Sequence, residues 1–270
     1  MKKNLSALLL LTLICSFTAC DSNKKPTSPD TAVVSETVQK EIPKVVDKAT
    51  EILQAAIKAH GGIISYSTAH YQFVFRGKTY TFKTGGNGYT YTVESVKDGR
   101  NIKDIIQNEK FSRQVNSKTV AIPEKEKNSA KSALNSVIYF ATLPYKLGDV
   151  SVNESYVEET TIKGKKYDVL KVTFDQEGGG EDFEDEYHYW INQETKKIDY
   201  LAYNYHVNGG GVRFRSAYNV RVVDGITFQD YINYKAEVGT PLKDLPALYE
   251  KGSLKELSRI ETENVINLNK

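Results

Sequence analysis

The sequence predicts an α+β fold in which one large, curved antiparallel sheet carries helices on one face. About ten segments alternate apolar and polar residues with a period of two, which is typical of strands. Two further segments have helical spacing, and they stand between runs of strands rather than after each strand. Because βαβ units would require a regular alternation of strands and helices, a Rossmann sheet and an (α/β) barrel are excluded.

Two amphipathic helices are predicted from apolar spacing and from the residues at their ends. The first is expected to begin at Pro43 and to end at the Gly61-Gly62 pair. Its apolar face consists of Val46, Ala49, Leu53, Ala56, Ile57 and His60. The second begins at Pro123, and its apolar stripe consists of Ala130, Ala133, Leu134, Val137, Ile138 and Ala141. A short helix is also expected around residues 242–251.

Two meanders of strands flank the second helix. The first covers residues 66–122, where glycines at 77, 85, 86 and 99 separate the alternating runs. The second covers residues 163–238 and turns at Gly164 and Gly225. A last strand is expected near residues 258–266. Because short glycine-containing turns join antiparallel neighbours, both meanders are expected to belong to the antiparallel sheet.

The N-terminus has the pattern of a bacterial lipoprotein. Lys2 and Lys3 precede the apolar residues 5–14, which are too few to span a bilayer and are typical of a secretion signal. Small residues then lead to Cys20, whose sulfur can take a diacylglycerol. Residues 1–19 are therefore predicted to be a lipoprotein signal peptide. Palmitate or similar acyl chains on Cys20 would hold the mature protein on a membrane. The alternative is an ordinary signal peptide with a chance cysteine.

The remaining chain is predicted to be a tether followed by one domain. Residues 20–43 contain two prolines and no apolar periodicity, so they are expected to be flexible. Residues 44–270 are long enough for a single domain with one core.

The composition limits the functions that are open to the protein. The formal net charge of +2 falls to zero when Lys2 and Lys3 are removed with the signal peptide, which argues against nucleic-acid binding. Of the two cysteines, Cys15 lies in the signal peptide and Cys20 would carry the lipid. No disulfide is therefore expected, and stability has to come from an ordinary core.

Several segments resemble known bacterial lipoproteins. The segment EYHYWINQETKKI at residues 186–198 resembles a strand-turn-strand of the LolA/LolB-type lipoprotein carriers. The segments KAHGG (58–62), LPYKL (143–147), KGKKY (163–167) and YHVNGGGVRFR (205–215) resemble a family of Gram-negative lipoproteins of unassigned function. The resemblance covers roughly residues 44–267. It implies an unclosed barrel lidded by helices around an apolar cavity, and it transfers no catalytic residue.

The strand at 198–205 is apolar on both faces. Alternation places Leu201, Tyr203 and Tyr205 on one face, and Ile198, Tyr200 and Ala202 on the other. A sheet of this kind needs cover on each face, from a second layer, a ligand or a partner. Tyrosine suits a cavity wall because its ring can face an acyl chain while its hydroxyl finds a polar partner. A packed core with tyrosine as a good strand former is the alternative.

Candidate ligand-binding residues cluster near the turn at 208–211. Arg213, Arg215 and Arg221 are expected to share a strand face, with His206 and Asn208 across the turn. Guanidinium groups there could hold an anionic head group; the alternative is a solvated face or cross-strand ion pairs. His60, Tyr203 and Tyr205 complete the candidate set, although a histidine at the end of an apolar helix face is also typical of a core or capping role.

Catalytic and metal-binding patterns are weak. The four histidines show no ligand spacing, and no Gly-x-Ser-x-Gly motif is present. Carboxylates at 177 and 181–186 could hold calcium, but their spacing matches no EF-hand and favours a solvated hairpin tip. No catalytic residue, metal or cofactor is therefore predicted, and enzymatic activity, such as an envelope hydrolase, is a minor alternative.

The resulting hypothesis is a monomeric, membrane-anchored extracytoplasmic lipoprotein that binds or carries a lipid or an acylated partner. The ligand would lie between the sheet and the helix at 124–141, with Arg213, Arg215 and His206 near its polar end. A structural or protein-interaction lipoprotein of the cell envelope is the second hypothesis. The outer membrane is the favoured location, although Asp21 would favour the inner membrane under the sorting rule of some bacteria.

Overall fold

The computed structural model describes residues 47–86, 88–175, 185–206 and 209–270. The predicted signal peptide, Cys20, the tether and Asn208 lie outside the described residues, as does most of the acidic loop. Within the described part, no helix has the length and apolar character needed to cross a membrane.

Seven strands form the first sheet, and every neighbouring pair in it is antiparallel. They are β1 (His70–Phe75), β2 (Lys78–Gly85), β3 (Gly88–Lys97), β4 (Arg100–Gln107), β5 (Lys110–Val115), β6 (Lys118–Val120) and β14 (Glu263–Asn267). Their order is β14-β1-β2-β3-β4-β5-β6. The first predicted meander is therefore intact, and a strand from the far end of the domain is added at its edge.

Seven further strands form the second sheet, which is also antiparallel throughout. They are β7 (Val152–Ile162), β8 (Lys165–Phe174), β9 (Tyr187–Asn192), β10 (Ile198–Tyr205), β11 (Gly211–Val223), β12 (Ile226–Ala236) and β13 (Lys255–Ile260). Their order is simply sequential, from β7 at one edge to β13 at the other.

Four α-helices accompany the sheets: α1 (Lys48–Ala59), α2 (Gly62–Ser67), α3 (Glu124–Ala141) and α4 (Leu245–Glu250). The described helix α1 begins after Asp47 rather than at the predicted Pro43, because the Asp47 carboxylate caps it. Asp47 Oδ1 accepts hydrogen bonds from Ala49 N at 2.8 Å and from Thr50 N at 3.2 Å. These bonds satisfy backbone donors that have no partner within the first helical turn.

The α+β class, with large curved antiparallel sheets that do not close, is confirmed. The single sheet of the prediction is divided in two between β6 and β7, which flank α3 and do not pair with each other. β13 and β14 follow each other in sequence but also belong to different sheets. Lys255–Ile260 pairs with β12, whereas Glu263–Asn267 pairs with β1. The chain therefore passes from one sheet to the other at residues 261–262.

Both faces of the second sheet are covered by the protein itself. The inner face, defined here as the face that packs against α1, contains Leu170, Val172, Tyr187, Tyr189, Ile191, Ile198, Leu201 and Tyr231. The outer face, which carries Tyr167, Val169, Trp190, Tyr200, Ala202, Val212 and Phe214, packs against Leu242 and Leu245 at the start of α4. The predicted need for cover on both faces is thus met.

The placement of Ile198 on the outer face is wrong. Ile198 lies on the inner face with Leu201, because the register of β10 against β9 shifts between Ile198 and Tyr200. A bulge of this kind adds a residue to one strand and reverses the alternation beyond it. Regular alternation alone could not show this shift.

Helix α3 packs on the first sheet through only part of its predicted stripe. Leu134 and Ile138 are fully buried against a core of Tyr71, Phe73, Tyr80, Phe82, Tyr91 and Ile106, whereas Ala133 is exposed. One side of α3 is thereby left to face the second sheet.

A buried carboxylate joins β11 and β12 to the linker between β13 and β14, where the chain changes sheets. Asp230 on β12 is 3% exposed and accepts hydrogen bonds from Thr262 N at 2.9 Å and from Asn219 Nδ2 at 2.7 Å. Arg221 Nη1 lies 3.2 Å from the same carboxylate, and Arg221 also donates to the Thr262 carbonyl. Asp230 therefore fixes the residue that lies between β13 and β14.

Candidate functional site

A cavity of about 490 Å³ lies between α3 and the two sheets. Helix α3 contributes Asn128, Lys131, Ser132, Asn135, Ser136, Tyr139 and Phe140. The surrounding strands and loops contribute Tyr89, Tyr91, Glu109, Lys146, Asp149, Ser151, Val152, Phe174 and Tyr187. The cavity opens to solvent and adjoins the helix at 124–141, beside which the sequence predicts a ligand.

Aromatic rings form the wall of the cavity on the side of the second sheet. Phe174 and Tyr187 meet edge to face with centroids 5.5 Å apart, and Tyr139 packs against Phe174 at 6.2 Å. The Tyr139 hydroxyl lies 2.8 Å from the buried hydroxyl of Tyr189. Since the tyrosine hydroxyl at the base of this wall is hydrogen-bonded, the rings can present apolar surface to the cavity.

The wall formed by α3 is polar. Asn128, Ser132 and Asn135 recur at helical spacing and line the cavity, while Leu134 and Ile138 point into the first sheet. Sequence reasoning missed this second face, because serine and asparagine on a helix are usually solvated. The signal was present as a run of small polar residues beside the apolar stripe.

Paired charges surround the cavity. Lys131 Nζ lies 2.7 Å from Glu109 Oε2, and Lys146 Nζ lies 3.0 Å from Asp149 Oδ2. The bond from Lys131 lowers the pKa of Glu109, and the Tyr89 hydroxyl also donates to this carboxylate. Burial, followed by the bond to Glu109, raises the pKa of Tyr89. This part of the cavity is therefore polar, but its charges balance.

Four of the predicted ligand-binding residues adjoin the aromatic wall without lining the cavity. Tyr203 stacks on Tyr187 with centroids 5.3 Å apart. Arg215 is 7% exposed, and its Nη2 donates to the Tyr203 hydroxyl at 2.9 Å. Arg213 donates to the hydroxyl of Tyr205. The sequence therefore identified a group that lies together behind the cavity wall.

Two of the other predicted residues do not join this group. Arg221 lies on the opposite face from Arg215, because the register of β11 shifts between Tyr218 and Arg221. It pairs with Asp230 instead, which is the cross-strand pairing that the sequence left open. His206 is 63% exposed and lies 3.6 Å from Asp185, away from the buried arginine.

His60 is a buried capping residue rather than part of the cavity lining. It is fully buried at the C-terminal end of α1, where its Nδ1 lies 2.9 Å from the Ala56 carbonyl. Its own carbonyl accepts a hydrogen bond from Thr227 N at 2.9 Å, which joins α1 to β12. Burial lowers the pKa of His60 to about 4. The imidazole is therefore neutral in the folded protein at pH 7.

The neutral burial of His60 predicts a loss of stability in mild acid. In the unfolded chain the imidazole takes up a proton below its ordinary pKa of 6.5, whereas in the folded protein it does so only near 4. The stabilisation is complete above the unfolded pKa and declines as the pH falls towards the folded pKa. Between pH 7 and pH 5, His60 should account for a fall of about 2 kcal/mol in the free energy of unfolding.

Urea unfolding of the wild type and of His60→Gln at both pH values measures this effect. The variant should lose less stability than the wild type over the same interval. His188, whose pKa is also lowered by burial, remains in both proteins and cancels in the comparison. Equal pH dependence in the two proteins would contradict the assignment.

The described residues contain no group of three or more histidine, cysteine, aspartate or glutamate side chains placed to hold a metal ion.

Three solved structures show what the chain is similar to. A LolA superfamily protein from Nitrosomonas europaea is 11% identical with a TM-score of 0.47, and the match covers 82% of this chain and 94% of that one. A DUF1329 family protein from Desulfovibrio piger is 11% identical with a TM-score of 0.43, covering 83% and 94%. The lipoprotein LppX of Mycobacterium tuberculosis is 9% identical with a TM-score of 0.27, covering 59% and 88%.

At these identities and scores the similarity carries no argument about function. No curated protein matches the chain. The resemblance to a lipoprotein family of unassigned function agrees with the family comparison. The model of the family of unknown function DUF6503 matches residues 8–262, which is most of the chain, and the protein therefore belongs to DUF6503.

Proposed function

We propose that this protein is a lipid-anchored protein of the cell envelope that binds a single-chain amphiphile between α3 and the two sheets. The cavity carries the proposal. Its volume of about 490 Å³ lies within the range of roughly 300–1,000 Å³ that is typical of sites for one small ligand. A site of this size favours one acyl chain over a complete diacyl lipid.

The two walls of the cavity suit a ligand of mixed character. Phe174, Tyr187 and Tyr139 offer ring surface on one side, against which a hydrocarbon chain loses contact with water. Ser132 and Asn135 offer hydrogen-bonding groups on the other side. A purely apolar ligand would leave these polar groups without partners, which is costly, whereas an amphiphile can satisfy them.

The proposed location rests on the sequence. Acylation of Cys20 after removal of residues 1–19 would hold the domain outside the cytoplasm, on the outer membrane or at the cell surface. The tether predicted from the sequence at residues 20–43 would then allow the cavity to reach an amphiphile in the same membrane or in the adjacent solvent. A monomer is sufficient for this role, because both walls of the cavity come from one chain.

Filling the cavity with a large side chain should weaken the binding of an amphiphile. In Ser132→Trp the indole occupies the space beside α3, and we expect the affinity for lysophosphatidylcholine to fall by about tenfold or more. Native mass spectrometry of delipidated, refolded protein with this probe provides the measurement. Ala133→Trp is the matched control, since Ala133 is exposed on the next position of the same helix and does not line the cavity.

The control should bind as the wild type does. Absence of any bound amphiphile on the wild type would overturn the proposed function. Equal binding by Ser132→Trp and the wild type would show that the amphiphile binds elsewhere.

A further inference from the structure

A row of directly paired residues runs across the second sheet, from the cavity wall towards its far edge. Tyr187 pairs with Tyr203, and Tyr203 pairs with Arg213. Arg213 pairs in turn with Lys235, and Lys235 with Lys255. Because directly opposed residues of antiparallel strands point to the same face, all five side chains belong to the inner face of the sheet. The row changes from aromatic to cationic as it leaves the cavity.

The three cations of this row, Arg213, Lys235 and Lys255, are called the cationic row below. None of them forms an ion pair with a carboxylate among the described residues. Arg213 donates instead to the Tyr205 hydroxyl and to its neighbour's carbonyl, Val212 O, at 3.1 Å. Like charges placed directly opposite each other on a sheet are destabilising. The row therefore has the charge of a site for an anion.

Arg215 places a fourth cation beside the row, and this one is buried. Its Nε has no hydrogen-bond partner among the described residues, although Nη2 donates to the Tyr203 hydroxyl. Asn233, directly opposite on β12, has its Oδ1 buried and also without a partner in the described part of the chain. The rings of Phe140 and Tyr203, whose centroids lie 3.9 Å and 5.2 Å from Arg215 Cζ, offset part of the cost of burying this guanidinium, and a bound anion would offset more of it.

The buried guanidinium lies one aromatic ring away from the cavity. Its Cζ lies 3.9 Å from the centroid of the Phe140 ring, and Phe140 lines the cavity. Phe140 also packs against Tyr203 at 5.7 Å, and Tyr203 stacks on the cavity residue Tyr187. One aromatic layer therefore separates the cavity from the cations.

We infer that Arg215 and the cationic row bind the anionic head group, a carboxylate or a phosphate, of an amphiphile whose chain occupies the cavity. This inference rests on the proposed function and narrows the ligand to an anion. Guanidinium groups recognise both acids through paired hydrogen bonds, and the two lysines add charge at the exposed end. The proposed head-group site therefore includes Arg213 and Arg215, which the sequence also predicts. It contains Lys235 and Lys255 in place of the predicted His206 and Arg221.

Calorimetric titration of the full chain with two dodecyl probes and inorganic phosphate tests the inference. Dodecyl phosphate is the anion, dodecyltrimethylammonium is the cation with the same chain, and inorganic phosphate is the head group alone. We expect dodecyl phosphate to bind about tenfold or more tightly than the other two, because only it satisfies both the cavity and the cations.

Three variants assign the effect to residues. Arg215→Gln and Lys235→Gln should each lower the affinity for dodecyl phosphate, and Arg215→Gln should lower it by about tenfold or more. Neither variant should change the affinity for dodecyltrimethylammonium. Arg259→Gln is the matched control, because Arg259 pairs with Ile232 on the other face of the same strands. Lys235→Gln keeps the test valid if Arg215→Gln fails to fold, since its side chain is exposed.

The outcomes distinguish the inference about an anionic ligand from the proposed function. Equal binding of both dodecyl probes would overturn the anion inference and leave the proposed function intact. No binding of either dodecyl probe would overturn the proposed function and the inference with it. Inorganic phosphate that binds as tightly as dodecyl phosphate would overturn the head-group assignment and identify a site for free phosphate.

Discussion

Replacing Asp230 with alanine is expected to lower the free energy of unfolding by about 3–4 kcal/mol. The carboxylate is 3% exposed and accepts hydrogen bonds from Asn219, Arg221 and Thr262. In the variant these donors lose their acceptor, and the Arg221 guanidinium keeps its charge without a carboxylate to pair with. The loss of stability comes from leaving these donors without an acceptor, which costs more free energy than the intact hydrogen bonds contribute on balance.

Chemical unfolding followed by circular dichroism measures the effect of Asp230→Ala. Glu94→Ala is the control, because the Glu94 side chain is 53% exposed, lies 2.8 Å from Lys103 and belongs to a strand position without a positive φ. The control should change stability by about 0.5 kcal/mol or less. If Asp230→Ala were no more destabilising than the control, the carboxylate would not hold the connection between the two sheets.

Gly61→Ala should destabilise the domain by about 3 kcal/mol. Gly61 has a φ of +132°, an angle that residues other than glycine rarely adopt. A Cβ atom there would lie 2.6 Å from the Gly225 carbonyl oxygen and 3.2 Å from the Ile226 Cα. Both contacts are with backbone, which cannot rotate away, so the end of α1 would have to move off the turn between β11 and β12.

The neighbouring glycine provides the control for this prediction. Gly62 also has a positive φ, of +78°, but an added Cβ would have no atom within 4 Å. Gly62→Ala should therefore cost about 1 kcal/mol, from backbone strain alone. Thermal unfolding of both variants measures the difference. Equal losses would show that the close approach of the β11–β12 turn does not contribute.

The sequence predicts the fold class because its periodicities are local. Strands with a period of two and helices with a period of 3.6 can be recognised within short windows, and the turns at Gly77, Gly99 and Gly225 separate them. The division into two sheets could not be predicted in this way. It depends on the absence of pairing between β6 and β7 on either side of α3. The pairing of Glu263–Asn267 with β1, at the other end of the domain, is likewise set by contacts that local periodicity does not show.

The candidate site shows the same limit. The group formed by Tyr203, Arg213 and Arg215 follows from alternation along single strands, whereas a cavity beside the helix at 124–141 is expected from the resemblance to the carriers. Arg221 was misplaced because a bulge reverses the face of β11 before it. Lys235 and Lys255 were missed because their neighbours in the site belong to other strands, and cross-strand register is not visible in the sequence.

The pairing of β14 with β1 has a consequence for the order of events in biogenesis. Tyr71 cannot acquire its strand partner Asn267 until the ribosome has released nearly the whole domain. The edge of the first meander therefore stays unpaired throughout synthesis, and its completion has to await contacts between segments that are far apart in the chain. This delay would suit the export that the sequence of residues 1–19 predicts, since a polypeptide that has not yet closed its sheets can still be threaded through a narrow channel.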